Sequence, residues 1–312
     1  MRIFCYGCSI TDYNWPTWAD ILCYEYQDRC EVHNYGNSGT GNTAIAQHVA
    51  ATHLMHNLSD SDYVLTTWTS YNRCDKLIPR YGDRNTITYS KMGNVLNNPH
   101  FDEHYLTGYW SLEDDIMQGI TARLSVDQFP GVHYNGNIGK SFAEAVEANE
   151  FADELTVNYL NAVNVNAFPH IYWDSKPFHK TVERYDGHPT PQMHLDYLQS
   201  TVLPALGDRL TVSDSTVQWV RQWEKWLARE LSSVRDQSEY NIVLEHSQGR
   251  RLEHLRNTHL WNSLFRVKDY MKGDNQLLRV GSTITENNTL DSTISSGINR
   301  LFTQYVRYLN GS

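Results

Sequence analysis

At 312 residues the chain is long enough for one large or two ordinary domains with ample core. Apolar residues make up 40% and charged residues 20%, which fits a globular protein and argues against disorder. A formal charge of −10 argues against a general nucleic-acid binder, because phosphate neutralisation needs a basic face; the short run Gln248-Gly249-Arg250-Arg251 does not supply one.

The first predicted strand, Arg2–Tyr6, is apolar and β-prone and runs straight into Gly7-Cys8-Ser9-Ile10-Thr11-Asp12. "WADILCYEYQ" follows with apolar residues at helical spacing, and Pro16 suits the first turn of that helix. Glu31–Tyr35 reads as the second strand. "NTAIAQHVAATHLMHNL" is a second helix, with Ile45, Val49, His53 and Leu54 near one face and His48, His53 and His56 as polar-face or core-edge residues. Tyr63–Trp68 is the third strand. Strand, helix, strand, helix, strand at this pitch predicts an α/β fold, a parallel sheet joined by right-handed crossovers.

The middle of the chain is less regular. "HYLTGYWSLEDDIMQGITARLSV" predicts a helix with Trp110, Ile116, Ile120 and Leu124 as core candidates, and 141–163 is a second helical stretch. The Asn/Gly-rich pieces "GNVLNNPH" and "HYNGNIGKS" read as loops. "DGHPTPQMHLDYLQSTVLPAL" leads from a polar segment into a helix. Beyond Gly207 the texture turns helical. Residues 213–231 form a strong helix with Ser215-x-x-Gln218 as a capping box, and 250–271 and 289–309 are further helices. This places a boundary between an α/β domain, residues 1–206, and a mainly helical module, residues 207–312.

No apolar run reaches the ~20 residues that span a bilayer, so no membrane partner is expected. Cys8, Ser9, Thr11 and Asp12 interrupt the apolar start too early for a secretory signal. Cys5, Cys8, Cys23, Cys30 and Cys74 are odd in number and lack paired metal-site spacing. Buried free thiols and a reducing, cytoplasmic compartment are the expectation. The 20 Tyr and 9 Trp fill a core or line a polar cleft, Trp15, Trp18, Trp68 and Trp110 being cleft candidates.

Four blocks carry groups for chemistry: Gly7-Cys8-Ser9 after the first strand, Gly36-Asn37-Ser38-Gly39 after the second, Trp68-Thr69-Ser70-Tyr71-Asn72-Arg73 after the third, and Asp186-Gly187-His188-Pro189 before a late helix. In an open parallel sheet, the carboxyl ends of neighbouring strands face one crevice where ligands bind. A serine hydroxyl becomes a nucleophile when a histidine accepts its proton, and a carboxylate holds that histidine's tautomer. Backbone N–H groups near glycines suit the oxyanion, and a serine at a helix amino terminus gains from the helix dipole. Singly, each block also fits an ordinary turn. "GNSGTGN" lacks the lysine of a phosphate-cradling loop.

In this order the blocks resemble the SGNH (GDSL-type) hydrolase family, over roughly residues 1–205. The resemblance implies a flavodoxin-like three-layer domain and a catalytic triad of Ser9 as nucleophile, His188 as base and Asp186 orienting it. It also implies an oxyanion hole from the Ser9 and Gly39 N–H groups, with Asn72, or Thr69, Ser70 or Arg73 in its place, as a further donor. Two departures stand out. The third block lacks Gly-x-Asn, and Asp186 and His188 are separated by one residue where the family often has two. His194 is a second candidate for the base, and a metal site from His188, His194 and Asp186 is disfavoured. Arg73 and Trp68 are candidate substrate contacts.

The expected activity is hydrolysis of an oxygen ester through an acyl-enzyme, a short acyl group such as acetate on a carbohydrate, with no cofactor. A second reading is a non-catalytic structural or adaptor protein on the same fold, self-associating or meeting a protein partner through its carboxyl-terminal helices. "WTSYNR" together with "DGHPTP" also resembles SGNH-like proteins of tailed phages, which extends the expected locations to a phage virion.

Overall fold

The structure is a computed structural model that describes residues 1–69, 73–79, 87–94, 108–109, 111–138, 170–171, 188–207 and 209–255. Strand β1 (Arg2–Gly7) pairs in parallel with β2 (Glu31–Gly36) on one side and β3 (Tyr63–Trp68) on the other. β6 (Val132–Ile138) pairs in parallel with β3, and the two-residue β7 (His170–Ile171) follows, giving the order β2-β1-β3-β6-β7. β4 (Arg73–Pro79) and β5 (Ile87–Asn94) form a separate antiparallel pair.

Side-chain alternation along the strands divides the apolar interior in two. Ile3, Cys5, Val32, Tyr63 and Leu65 face helices α1 (Trp18–Tyr26), α4 (Pro191–Tyr197), α5 (Asp214–Ser232) and α6 (Gln237–His254). Phe4, Tyr6, Tyr35, Val64 and Trp68 face α2 (Asn42–His56) and α3 (Leu112–Val126). With both faces covered, the strands read as near-continuous apolar runs. Each fully buried side chain such as Ile3 or Leu65 contributes ~1.5–3 kcal/mol.

The predicted spans of the first three strands and first two helices agree with these elements to within a residue or two. Pro16 lies outside α1, one residue before its N-cap Thr17. His133–Ile138 belong to strand β6, not a loop: pairing along Tyr63–Trp68 overrides a composition that favours turns. The hairpin β4–β5 was also absent from the sequence reading. At α5 the cap is Ser213, whose side chain accepts from the Thr216 N–H, so the Ser215–Gln218 box is corrected. α6 starts at Gln237, well before Arg250, behind the cap Asp236. The helices expected over 141–163 and 289–309, together with Trp110 and the Cys74 side chain, lie outside the described residues.

α5 and α6 share one apolar cluster with β1 and α1. Trp219 of α5 stacks on Tyr24 of α1, ring centroids 4.2 Å apart. The Glu25 carboxylate sits at the amino end of α5 and accepts from Ser213 N (2.9 Å), Ser213 Oγ (2.7 Å) and Thr216 Oγ1 (2.5 Å). A carboxylate there satisfies free amides and complements the helix dipole.

Candidate active site

β1 ends in one tight turn. Cys8 O accepts from Thr11 N (2.9 Å) and Asp12 N (3.1 Å), so the chain closes on itself around Ser9 and Ile10. Ser9 therefore lies on an isolated turn and not at a helix amino terminus, since α1 begins only at Trp18. Its residue exposure is 6%. The turn is fastened from behind. Thr67 Oγ1 donates to Tyr6 O (3.1 Å), and the Thr67 and Thr11 hydroxyls are hydrogen-bonded to each other at 2.5 Å. Asn34 Nδ2 donates to Thr11 O at 2.8 Å. Gly36, at the end of β2, lies so close that a Cβ there would stand 2.7 Å from Asp12 N and Thr11 C.

The loop after β2 joins the same edge through Asn37 N, which donates to Gly7 O at 2.9 Å. Gly39 follows with φ +82°, a left-handed conformation that suits glycine, and the space where its Cβ would point is open. Thr40 O accepts from Arg73 Nη1 at 3.3 Å. The amino end of α2 is tied to the strands beyond it. Asp75 accepts from Gly41 N (2.9 Å) and Ala44 N (3.1 Å), while Asn42 and Thr69 exchange two hydrogen bonds of 3.1 and 2.9 Å. Arg73 is thus beside the Gly39 loop with one bond committed to the backbone. Trp68 is only 2% exposed, inside the α2–α3 core, with Nε1 donating to Asn135 Oδ1 at 2.9 Å. Trp15 and Trp18 are likewise fully buried, so of the two roles open to these rings, core packing and cleft lining, all three take the core. Asn72 lies outside the described residues.

The late segment docks on the loop that follows Ser9. The His188 imidazole stacks on Tyr13, ring centroids 3.8 Å apart and planes 15° from parallel. Next to it, Pro189 O accepts from the buried Trp15 Nε1 at 2.7 Å. Thr190 caps α4 by accepting from Met193 N. Asp186 lies outside the described residues. His194, the second candidate for the base, is fully buried, and burial first, then the nearby charges of His188 and Arg251, push its pKa down to about 3. An imidazole tuned that low is neutral at pH 7 and a weak proton acceptor, so His194 is set aside as the base.

Sequence reasoning missed the residues that hold this loop. Arg251 of α6, assigned to a short basic run, is 1% exposed and ends against the Ser9 loop. Its Nη2 donates to Asp12 Oδ1 (2.6 Å) and Asp20 Oδ1 (2.9 Å), and its Nη1 donates to Tyr13 O. Asp20 is wholly buried and also accepts from Thr17 N (2.9 Å) and Asn34 Nδ2 (3.1 Å). Burial works against the Arg251 charge, but Asp20 and Asp12 outweigh it and hold its pKa above the ordinary range. For Asp20, burial pulls the other way and pushes the carboxyl up against the guanidinium's pull. Three N–H donors, from Arg251, Thr17 and Asn34, favour its charged form against that burial. One signal was legible: Tyr240, Val243, Ser247 and Arg251 fall on one helical face, so the arginine continues a buried stripe.

The turn after β1 and the loop after β2 thus meet at the carboxyl ends of those strands, where an open parallel sheet binds its ligands, and the His188 segment docks farther along the first loop, on Tyr13 and Trp15. Among the described residues, no helix is long and apolar enough to cross a membrane.

No protein-family model matches the chain, and no curated protein does either. Among solved structures, one described as a member of the lipolytic protein G-D-S-L family from Veillonella parvula DSM 2008 is similar over 65% of this chain and 98% of that one, at 13% identity and a TM-score of 0.33. Likeness of that degree carries no argument about chemistry.

Proposed function

We propose that the chain is a serine hydrolase of SGNH type that cleaves an oxygen ester. Ser9 Oγ attacks the ester carbonyl while His188 takes its proton, and the tetrahedral oxyanion rests on the Ser9 and Gly39 N–H groups. His188 then gives the proton to the departing alcohol, leaving an acyl-Ser9 ester. Water, deprotonated by His188, releases the acid and restores Ser9. In this scheme Asp186 orients His188 and Asn72 adds a donor to the oxyanion. The substrate proposed is a short acyl ester, acetate on a carbohydrate, with Arg73 as a contact beside the Gly39 loop.

The observation that carries this reading is the docking of the His188-Pro189 segment on Tyr13 and Trp15, in the loop that begins at Ser9. A residue far along the chain is thereby held on the loop that follows the turn bearing the candidate nucleophile. The low exposure of Ser9 favours a second reading, a non-catalytic protein that keeps the fold for assembly, in a phage particle for example.

Nitrophenol release from a short-chain ester, with fluorophosphonate labelling, separates the two. The intact chain should turn over and label, and Ser9→Ala and His188→Ala should do neither. Absence of turnover across an ester panel, with no label on Ser9, would overturn the serine-hydrolase reading.

A further inference from the structure

We propose that Arg251 is a positioning residue for His188, acting through the backbone of Tyr13. As a role in catalysis this rests on the hydrolase reading above; as a statement about geometry it does not.

The contacts form an unbroken path. Arg251 reaches from α6 to Tyr13 O and Asp12 Oδ1 on the loop, and to Asp20 Oδ1 on α1. The Tyr13 ring carries the His188 imidazole, and its other neighbour Trp15 packs edge-on against it, centroids 4.6 Å apart. Tyr13 lies between the Cys8–Asp12 turn and the Thr17 cap, a stretch too irregular to be held by helix or sheet bonds. The guanidinium fork supplies that anchorage. Its planar donors engage a backbone carbonyl and two carboxylates at once, which a lysine ammonium cannot reproduce with the same geometry.

A buried charge held by two buried or half-buried carboxylates does little for stability compared with an apolar replacement, so its presence calls for another explanation. Fixing one loop conformation is that explanation. Displacing a catalytic group by about 1 Å can cost on the order of a hundredfold in rate. The inference gives the carboxyl-terminal helices a role at the site: α6 completes the support on which the base rests.

The test uses the full chain. Stacking on Tyr13 should shift the His188 imidazole C–H resonances upfield, an effect that Tyr13→Leu removes. Arg251→Lys should move those resonances to ordinary imidazole positions and lower kcat on a short-chain ester by about tenfold or more, with KM nearly unchanged. Arg251→Lys combined with Tyr13→Leu should be little worse than either alone. Asp12→Asn, which leaves Arg251 its Asp20 partner, should shift the same resonances part of the way and decides the matter if the lysine variant does not fold. Upfield His188 resonances retained in a folded Arg251→Lys or Asp12→Asn protein, or additive losses in the double variant, would overturn the proposal. If the intact chain shows no esterase activity or label, the hydrolase reading fails and the resonance positions still decide the geometric claim.

Discussion

The imidazole of His188 lies flat on the phenol ring of Tyr13, 3.8 Å between centroids, while the next carbonyl, Pro189 O, is gripped by Trp15 Nε1. The stack alone is worth ~0.5–1.5 kcal/mol beyond the area it covers. Together the two contacts give the late segment a defined seat on the loop after β1.

Trp15→Phe removes the donor to Pro189 O and leaves a buried carbonyl without that partner. The expected cost is ~1–3 kcal/mol, including the smaller ring. Calorimetry should show a lowered Tm, and ester turnover should fall mainly in kcat as the His188 seat loosens. A variant with unchanged kcat would separate Trp15 from the site.

Gly36→Ala places a methyl group 2.7 Å from two backbone atoms of the Ser9 loop, Asp12 N and Thr11 C. Backbone cannot rotate aside, so we expect a loss of ~1–3 kcal/mol in urea unfolding and slower fluorophosphonate labelling of Ser9. Gly39→Ala provides the contrast. It meets no neighbour, and only the φ of +82° penalises it, by ~1–2 kcal/mol.

At the opposite end of β1, Asp62 accepts from Arg2 N (2.9 Å), Arg2 Nη2 (2.6 Å) and Ser59 N (3.0 Å). Burial works to raise its pKa, but Arg2 and Ser59 prevail and hold it at about 2, below the ordinary 3.8. A carboxylate depressed that far contributes about 2 kcal/mol above pH 4, lost as the pH falls towards 2. Asp62→Asn should remove that contribution at neutral pH and flatten the acid limb of stability between pH 4 and 2. An unchanged acid limb would refute the assignment.

His194 acts in a higher window with the same direction. Its folded pKa of about 3 lies below the imidazole's usual 6.5, so between these values the unfolded chain binds a proton that the folded chain refuses. Stability should therefore fall with decreasing pH through that range, at up to about 1.4 kcal/mol per pH unit. Urea unfolding at stepped pH should show this slope in the intact chain and a shallower one in His194→Gln.

Much of the sheet was legible without coordinates. Arg2–Tyr6, Glu31–Tyr35 and Tyr63–Trp68 are short apolar, β-rich runs separated by helix-period segments, and both faces of each strand are buried, which leaves a plain mark on composition. α3 was legible from Ile116 and Ile120, and α5 from Trp219, Val220, Trp223 and Leu227, because a stripe on one face repeats at helical spacing. The Asn/Gly-rich β6 left no such mark, since its strand state comes from pairing with β3.

The sequence by itself determined the local periods, the glycines after β1 and β2, and the order of the blocks that bear Ser9, Gly39 and His188. Tertiary structure decided what those residues meet. Trp68, open-cleft material by residue type, went to the core; Arg251, surface material by charge, went to the buried loop beside Asp12 and Asp20. The reason is physical. A helical or strand period is written in neighbours a few residues apart, whereas burying a guanidinium requires two carboxylates to be present at one point, and only the folded chain brings residues 12, 20 and 251 to that point.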